Sequence, residues 1–118
     1  MALSYAPGDD LVFQMESGFG LVRVLGSEGE GREAVWHILV YYDFYPDVES
    51  AEAALGSGRP LAVREPHLAL TEHAFEKTPA ALLTHPPVTD EELAPLGRWQ
   101  REGGPVHDRS LLLMLGMR

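Results

Sequence analysis

Two closely spaced glycines, Gly18 and Gly20, stand between apolar stretches, and such a pair could cradle a phosphate. A dinucleotide-binding turn needs G-x-G-x-x-G leading into a helix, and a P-loop needs Gly-Lys followed by Ser or Thr. Here Gly20 is followed by the stretch LVRVL, residues 21–25, whose β-branched and apolar residues indicate a strand. The glycines therefore predict a β-hairpin, in which they supply positive φ, and not a phosphate site.

Histidines are the first candidates for metal ligation, and the chain has five of them, at positions 37, 67, 73, 85 and 107. None forms H-x-H, H-E-x-x-H or an i, i+4 pair, the spacings that bring two imidazoles onto one metal ion. Clustering of His67 and His73 with Glu72 in three dimensions stays open. The sequence itself predicts no metal site and no cofactor.

Nucleophilic and acid–base catalysis find little support in the motifs. The segment Gly56-Ser57-Gly58 lacks the G-x-S-x-G spacing of a hydrolase elbow. Adjacent acids occur at Asp9-Asp10 and Glu91-Glu92, in a predicted turn and in the first turn of a predicted helix, where acids have structural roles. Because folding alone brings catalytic carboxylates together, an enzyme using histidines and carboxylates at the mouth of the sheet stays as the alternative function.

Alternation and turn residues predict the strands. Residues 11–16 alternate with a period of two after a Pro-Gly-Asp turn. Residues 34–45, AVWHILVYYDFY, are apolar on one face and nearly so on the other, which predicts a central strand covered on both sides. Residues 61–64, close to Pro66, favour an edge strand. Residues 110–117 predict either a final strand, which we prefer, or a short docked helix.

Capping residues predict the helices. Asp47 caps a short helix over residues 48–55, and Thr71 caps a helical turn that reaches Phe75. Thr89, followed by Glu92 three residues later, forms a capping box and predicts a C-terminal helix ended by glycine. Pro95 should kink or shorten that helix. Residues 26–31 are expected to be a mobile acidic loop, and the proline-containing residues 77–88 a crossing loop.

Length and composition favour one folded domain over residues 1–118. The chain is 45% hydrophobic and 23% charged, near the average for globular proteins, and its lack of cysteine excludes disulfides and thiolate metal sites. The predicted fold class is α+β. We expect a mainly antiparallel, partly barrel-like sheet, with a short helix after the central strand and a C-terminal helix packed on the sheet.

Negative charge is concentrated in the N-terminal half. Of the net charge of −9, residues 1–58 carry −8 and residues 59–118 carry −1. Because a protein that neutralises phosphates needs a basic surface, we expect no direct binding of nucleic acid, unless arginines gather on one face. The arginines that would have to gather are Arg59, Arg64, Arg98 and Arg101.

The sequence shows no signal peptide and no apolar run of about 18 residues. We therefore expect a cytoplasmic protein without a membrane partner.

An acidic segment rich in aromatic residues follows the predicted central strand. Tyrosine is enriched in protein interfaces, and acids steer and orient a basic partner. The alternative is that the tyrosines complete the core while the acids solvate a helix. The sequence predicts a partner-binding surface formed by Asp43, Tyr45, Asp47, Glu49 and Glu52.

Short motifs in the first 45 residues resemble known families. Pro7-Gly8-Asp9, Gly20 and the stretch RVLG, residues 23–26, are similar to the opening of the immunity protein 26 family of polymorphic toxin systems. They also resemble small SH3-like barrels, although the acidic half departs from the basic surface of nucleic-acid-binding barrels. The first resemblance implies an acidic inhibitor that binds a basic toxin. The leading hypothesis is therefore a non-catalytic, protein-binding module of the immunity type, with a basic protein as its partner.

Overall fold

The alternating stretches of the sequence form strands in the computed structural model, which describes residues 3–117. The strands are β1 (Asp10–Met15), β2 (Gly18–Glu28), β3 (Val35–Tyr41), β4 (Val63–Thr71) and β5 (Ala80–Thr84). The helices are α1 (Val48–Leu55), α2 (Glu72–Glu76), α3 (Asp90–Glu102) and α4 (Leu111–Met114), with a short 3-10 turn at Gly31–Glu33.

The strands form one antiparallel sheet in the order β4-β3-β2-β1-β5. The α+β class is confirmed, and because the sheet does not close, it is only partly barrel-like. Strand β3 is covered on both faces, as its sequence predicts, although β2 and not β3 occupies the middle of the sheet. Strand β4 lies at an edge, as Pro66 suggests, and it continues unbroken to Thr71.

The hairpin between β1 and β2 gives glycine two different roles. Gly18 has a φ of 152°, and a Cβ there would lie 2.6 Å from the carbonyl oxygen of Tyr45. Gly20 does not have positive φ, so the predicted reason for this glycine is wrong. It pairs directly with Phe13, and a Cβ would lie 2.4 Å from Cζ of that ring. Gly20 is therefore required by a close aromatic contact across the hairpin.

Alternate residues of the strands face two separate layers. One face packs against α2, α4 and the N-terminal residues, and the other packs against α1 and α3, which cover different parts of it. The C-terminal helix α3 therefore packs on the sheet as expected, through Leu96. On the second face, Val12 and Leu21 lie beneath α1, and Leu25 and Leu39 lie beneath α3. The buried members of the first face include Leu11, Phe13, Val22, Val24, Trp36, Ile38, Val40, Leu70, Phe75 and Leu111.

The predicted caps are confirmed at all three positions. The side chains of Asp47, Thr71 and Thr89 each accept a hydrogen bond from a backbone N–H in the first turn of the helix that follows. Thr89 and Glu92 form the reciprocal capping box, and α3 ends at Gly103 with a φ of 63°. Helix α3 runs through Pro95 for 13 residues, so the proline does not shorten it.

Three expectations for the connecting and terminal segments are wrong. The predicted crossing loop 77–88 contains β5, which pairs with β1 at the edge of the sheet, where flanking prolines are tolerated. Strand β2 extends to Glu28, into the predicted loop 26–31. Residues 111–114 form α4 instead of the preferred strand, because Leu111 and Leu115, four residues apart, are both buried while Leu113 is 65% exposed.

A buried arginine on the second face joins β1, the segment after β5 and α3. Arg23 lies on β2 between Leu21, which is covered by α1, and Leu25, which is covered by α3, and it is only 3% exposed. Its Nη1 donates to the carbonyl of Gly8 at 2.9 Å and to Asp10 at 3.2 Å. Its Nη2 donates to the carbonyls of Pro86 and Pro87, and its Nε lies 2.8 Å from a carboxylate oxygen of Glu92.

Burial and neighbouring charges shift the pKa values of Asp10 and Arg23. Burial raises the pKa of Asp10, while the Thr84 hydroxyl and the Arg23 guanidinium act in the opposite direction. Desolvation of Arg23 is outweighed by Asp10 and Glu92, which raise the pKa of its guanidinium. Arginine at this position is therefore permanently charged, and its charge is compensated inside the protein.

We predict that Arg23→Met lowers the free energy of unfolding by about 3–5 kcal/mol, because it leaves the buried Asp10 carboxylate without a counterion. Urea denaturation measures the effect. The matched control is Arg98→Met, which removes an exposed arginine of α3 and should change the free energy by less than about 0.5 kcal/mol. Equal effects of the two substitutions would contradict this account of the network.

Candidate interaction surface

The segment between β3 and α1 is fixed to its neighbours by backbone hydrogen bonds. The N–H of Tyr42 donates to the carbonyl of Ala62, and Phe19 and Tyr45 exchange two hydrogen bonds, each 2.8 Å long. The close approach of Gly18 to Tyr45 allows this bridge. The side chains of residues 42–47 therefore project from a constrained frame.

Helix α1 turns one side to the sheet and the other to solvent. Ala51 is fully buried, and Val48 and Leu55 pack around it against Val12 and Leu21. Its acids lie on the outer side, as a helical period of 3.6 requires. The Asp47 carboxylate caps the helix and accepts a hydrogen bond from the N–H of Ser50 at 2.7 Å. Hydrogen bonding from Ser50 lowers the pKa of the Asp47 carboxyl.

The five residues predicted to bind a partner have two kinds of environment. The acids Asp43, Asp47, Glu49 and Glu52 are exposed, and within residues 3–117 none of them forms an ion pair. Tyr45 is partly buried and packs in the cluster around Ala51. Burial, together with Asp43, raises the pKa of its phenol.

Two further exposed aromatic rings belong to the same segment as these acids. Tyr42 is 60% exposed and Phe44 is 45% exposed. Because β3 ends at Tyr41, they lie beyond the strand and not on its covered faces, where alternation over residues 34–45 had put them. We define the acidic aromatic face as the exposed side chains of Tyr42, Asp43, Phe44, Asp47, Glu49 and Glu52.

A groove adjoins the acidic aromatic face at Phe44. It has a volume of about 440 Å³ and is open to solvent. Its wall also contains methionines from β1 and from the C-terminal segment, together with a carboxylate from the hairpin. The lining residues are Met15, Glu16, Ser17, Phe44, Gly116 and Met117.

The histidine cluster left open by the sequence does not form. Glu72 is buried and accepts hydrogen bonds from the Trp36 indole at 2.6 Å and from the N–H of Leu3 at 3.0 Å. His73 is exposed and lies 3.7 Å from Glu76. His67 instead contacts His37, which sequence spacing could not indicate because the two residues lie on neighbouring strands.

Neither a metal-binding group nor a single basic face is found in the part of the chain described. Among residues 3–117, no three histidine or acidic side chains are placed so that they could hold a metal ion. Arg64 donates to the carbonyl of Leu115 beside α4. Arg98 and Arg101 lie on α3, across the sheet from α4, and Arg59 lies in the loop after α1.

Comparison with known proteins adds no relative: no family model, no curated protein and no solved structure matches the chain. The fold and the surface define this protein as an α+β domain with an acidic aromatic face. None of the helices within residues 3–117 has the length and apolar character needed to cross a membrane.

We predict that Asp47→Ala lowers the free energy of unfolding by about 1 kcal/mol, because the N–H of Ser50 loses its acceptor. Asp47→Asn should stay within about 0.5 kcal/mol of wild type, since the asparagine oxygen also caps a helix. Thermal or urea denaturation measures both variants. A loss of stability in Asp47→Asn as large as in Asp47→Ala would show that the charge, and not the cap, is what stabilises α1.

Proposed function

We propose that this protein is a non-catalytic binding module that docks a basic protein through the acidic aromatic face, most concretely as an immunity-type inhibitor. The observation that carries the proposal is that residues 42–52 expose four carboxylates, which have no ion-pair partner within residues 3–117, and two aromatic rings, on a backbone held by hydrogen bonds. Such a surface has charge for orientation and apolar area for affinity.

The exposed carboxylates favour binding of a basic partner. Among residues 3–117 no cation is paired with Asp43 or Glu52, so a lysine or arginine that approaches them displaces none of these side chains. The negative charge of residues 1–58 adds a long-range attraction that accelerates encounter at low ionic strength. Charge on this face would thus act mainly through the rate of association and the orientation of the partner.

Apolar contact would come from the aromatic rings and the groove beside them. Tyr42 and Phe44 expose large surfaces with few rotatable bonds, which is typical of residues that dominate binding energy. The groove walls contain Met15 and Met117, and methionine adapts its shape to a partner. The aliphatic stem of a long basic side chain fits such a wall, with Glu16 close to its charged end.

Constraint of the backbone supports recognition of a defined partner. The Phe19–Tyr45 bridge holds the centre of the face, and the Asp47 cap holds the start of α1. A surface that is already ordered loses little conformational entropy when it binds. The resemblance of the Pro7-Gly8-Asp9 opening to immunity proteins agrees with this role and suggests a basic toxin as the class of partner.

The alternative of an enzyme built on histidines receives less support. His37 and His67 use their facing nitrogens for each other, at 2.8 Å, and His37 is covered by the protein. Neither facing nitrogen is therefore available to a substrate. For this reason we favour binding over catalysis.

The experiment uses the full chain as bait in the cell from which it comes, in wild-type form and as the variant Asp43→Asn, Asp47→Asn, Glu49→Gln and Glu52→Gln. The wild type should retain a basic protein that the variant loses, and the purified partner should bind the variant at least about tenfold more weakly at low salt. The difference should shrink as salt is added.

The control removes the same charge from exposed acids outside the face: Glu30→Gln, Glu33→Gln, Glu76→Gln and Glu102→Gln. It should bind like the wild type. If both sets weaken binding equally, net charge is responsible and the face is wrong. If the wild type retains no basic protein, the proposed function is wrong.

A further inference from the structure

Two histidines from neighbouring strands meet beneath α3. His37 on β3 and His67 on β4 have Nδ1 and Nε2, respectively, 2.8 Å apart. Their ring centroids are 5.1 Å apart and their planes differ by 19°. Because the facing nitrogens are much closer than the centroids, the rings meet edge to edge in nearly one plane. One proton shared between the two facing nitrogens makes a hydrogen bond between the rings, while Nε2 of His37 is buried without a hydrogen-bond partner among the described residues.

Side chains of α3 and β2 close the site around this histidine pair. The Trp99 ring lies edge-on to both imidazoles, with centroids 4.8 Å from His37 and 5.8 Å from His67. Glu28 at the end of β2 has a carboxylate oxygen 3.8 Å from Nε2 of His37, and the same oxygen accepts a hydrogen bond from Gln100 at 2.8 Å. The second half of α3 is thus joined to the sheet through the pair.

Burial opposes a positive charge on this pair. A proton added at an outer ring nitrogen leaves the hydrogen bond between the facing nitrogens in place, but it puts a charge on a buried ring, and only protonation of both rings sets two donors opposite each other. His37 is only 1% exposed, so water could not solvate the new charge in the closed structure. The groups facing the pair are Glu28 from β2, a carboxylate that favours the charge, and Trp99 and Gln100 from α3, which are neutral.

The two ends of α3 are held differently. Glu92 in its first turn is paired with the permanently charged Arg23, and Leu96 packs on Leu25 and Leu39. Beyond Leu96, Trp99 packs against the same apolar cluster and against the histidine pair, and Gln100 donates to Glu28. The Trp99 indole also donates to the carbonyl of Pro105 at 2.8 Å, so residues 99–105 form one local unit.

We propose that the His37–His67 pair is a proton-operated latch, in which a proton added to the neutral pair releases residues 99–105 from the sheet while the remaining core stays folded. The released segment belongs to the least anchored part of α3, where local opening requires the loss of few buried contacts. The proposal does not depend on the acidic aromatic face or on its partner.

The direction of the pH effect follows from burial. Burial, with a smaller contribution from His37, lowers the pKa of His67 to about 4, from an ordinary value of 6.5. Burial also lowers the pKa of His37, against the influence of Glu28. The contribution of the histidine pair to the stability of the closed form is therefore fully present above pH 6.5. As the pH falls from 6.5 towards 4, the ratio of closed to open forms decreases by up to about tenfold per pH unit.

The experiment follows the indole N–H signals of the full chain by two-dimensional NMR between pH 7.5 and pH 4.5. Trp36 on the opposite face is an internal reference, because its indole binds Glu72. The Trp99 signal should shift or broaden below pH 6.5, together with the amides of residues 99–105, while Trp36 stays unchanged. If both indoles change with the same midpoint, the protein unfolds as a whole and the latch is wrong.

Two variants connect the transition to the pair. His67→Gln keeps a hydrogen-bonding partner for His37 but does not titrate, so it should move the Trp99 transition by at least one pH unit or abolish it. His73→Gln, at an exposed histidine, should leave the transition unchanged. An unchanged transition in His67→Gln would overturn the proposal.

The histidine ring signals of the wild type give a second measurement, which needs no variant. The latch requires His67 to titrate with a pKa below 6.5, the ordinary value for histidine. A titration midpoint of His67 at or above that value would also overturn the proposal, even if His67→Gln failed to fold.

Discussion

The positive charge of Arg23 is the constraint to which much of this fold responds. A buried guanidinium is tolerated only when acceptors surround it, and here they come from β1, from the Pro86-Pro87 segment and from α3. Satisfying this one side chain therefore fixes the start of the first strand, the path of the chain after β5 and the position of the last long helix. An apolar side chain at this position could be buried without specifying these partners.

The acids of the protein differ in how the fold engages them. Asp10, Glu72 and Glu92 are at least partly buried and are engaged by hydrogen bonds or by Arg23. Within the part of the chain that the structure describes, the acids of the acidic aromatic face have no ion-pair partner, and apart from the cap at Asp47 their side chains form no hydrogen bond. Charge that does not stabilise the fold is available for recognition, and this is the physical basis of the proposed function.

Local sequence signals predicted the parts of the structure that depend on neighbouring residues. The caps at Asp47, Thr71 and Thr89 are decided within one helical turn, and the strands around Leu11 and Ile38 are decided by alternation. Non-local contacts were missed. Strand β5 is short and exists because β1 offers it a partner, Gly20 is required by the Phe13 ring across the hairpin, and His37 meets His67 only through the register of β3 and β4. Of the predicted surface, the exposure of the acids followed from helical periodicity, whereas the projection of Tyr42 and Phe44 depends on where β3 ends.

The position at which the partner contacts the protein tests the proposed docking site most directly. A photo-crosslinking residue placed at Tyr42, in the acidic aromatic face, reports contacts there, and one placed at Val106, an exposed apolar site in the loop that follows α3, serves as the reference. We predict that ultraviolet irradiation in the native cell joins a basic protein to position 42 and not to position 106, and that added salt suppresses the product. Crosslinking at position 106 alone, or equal crosslinking at both positions, would contradict a docking site on this face.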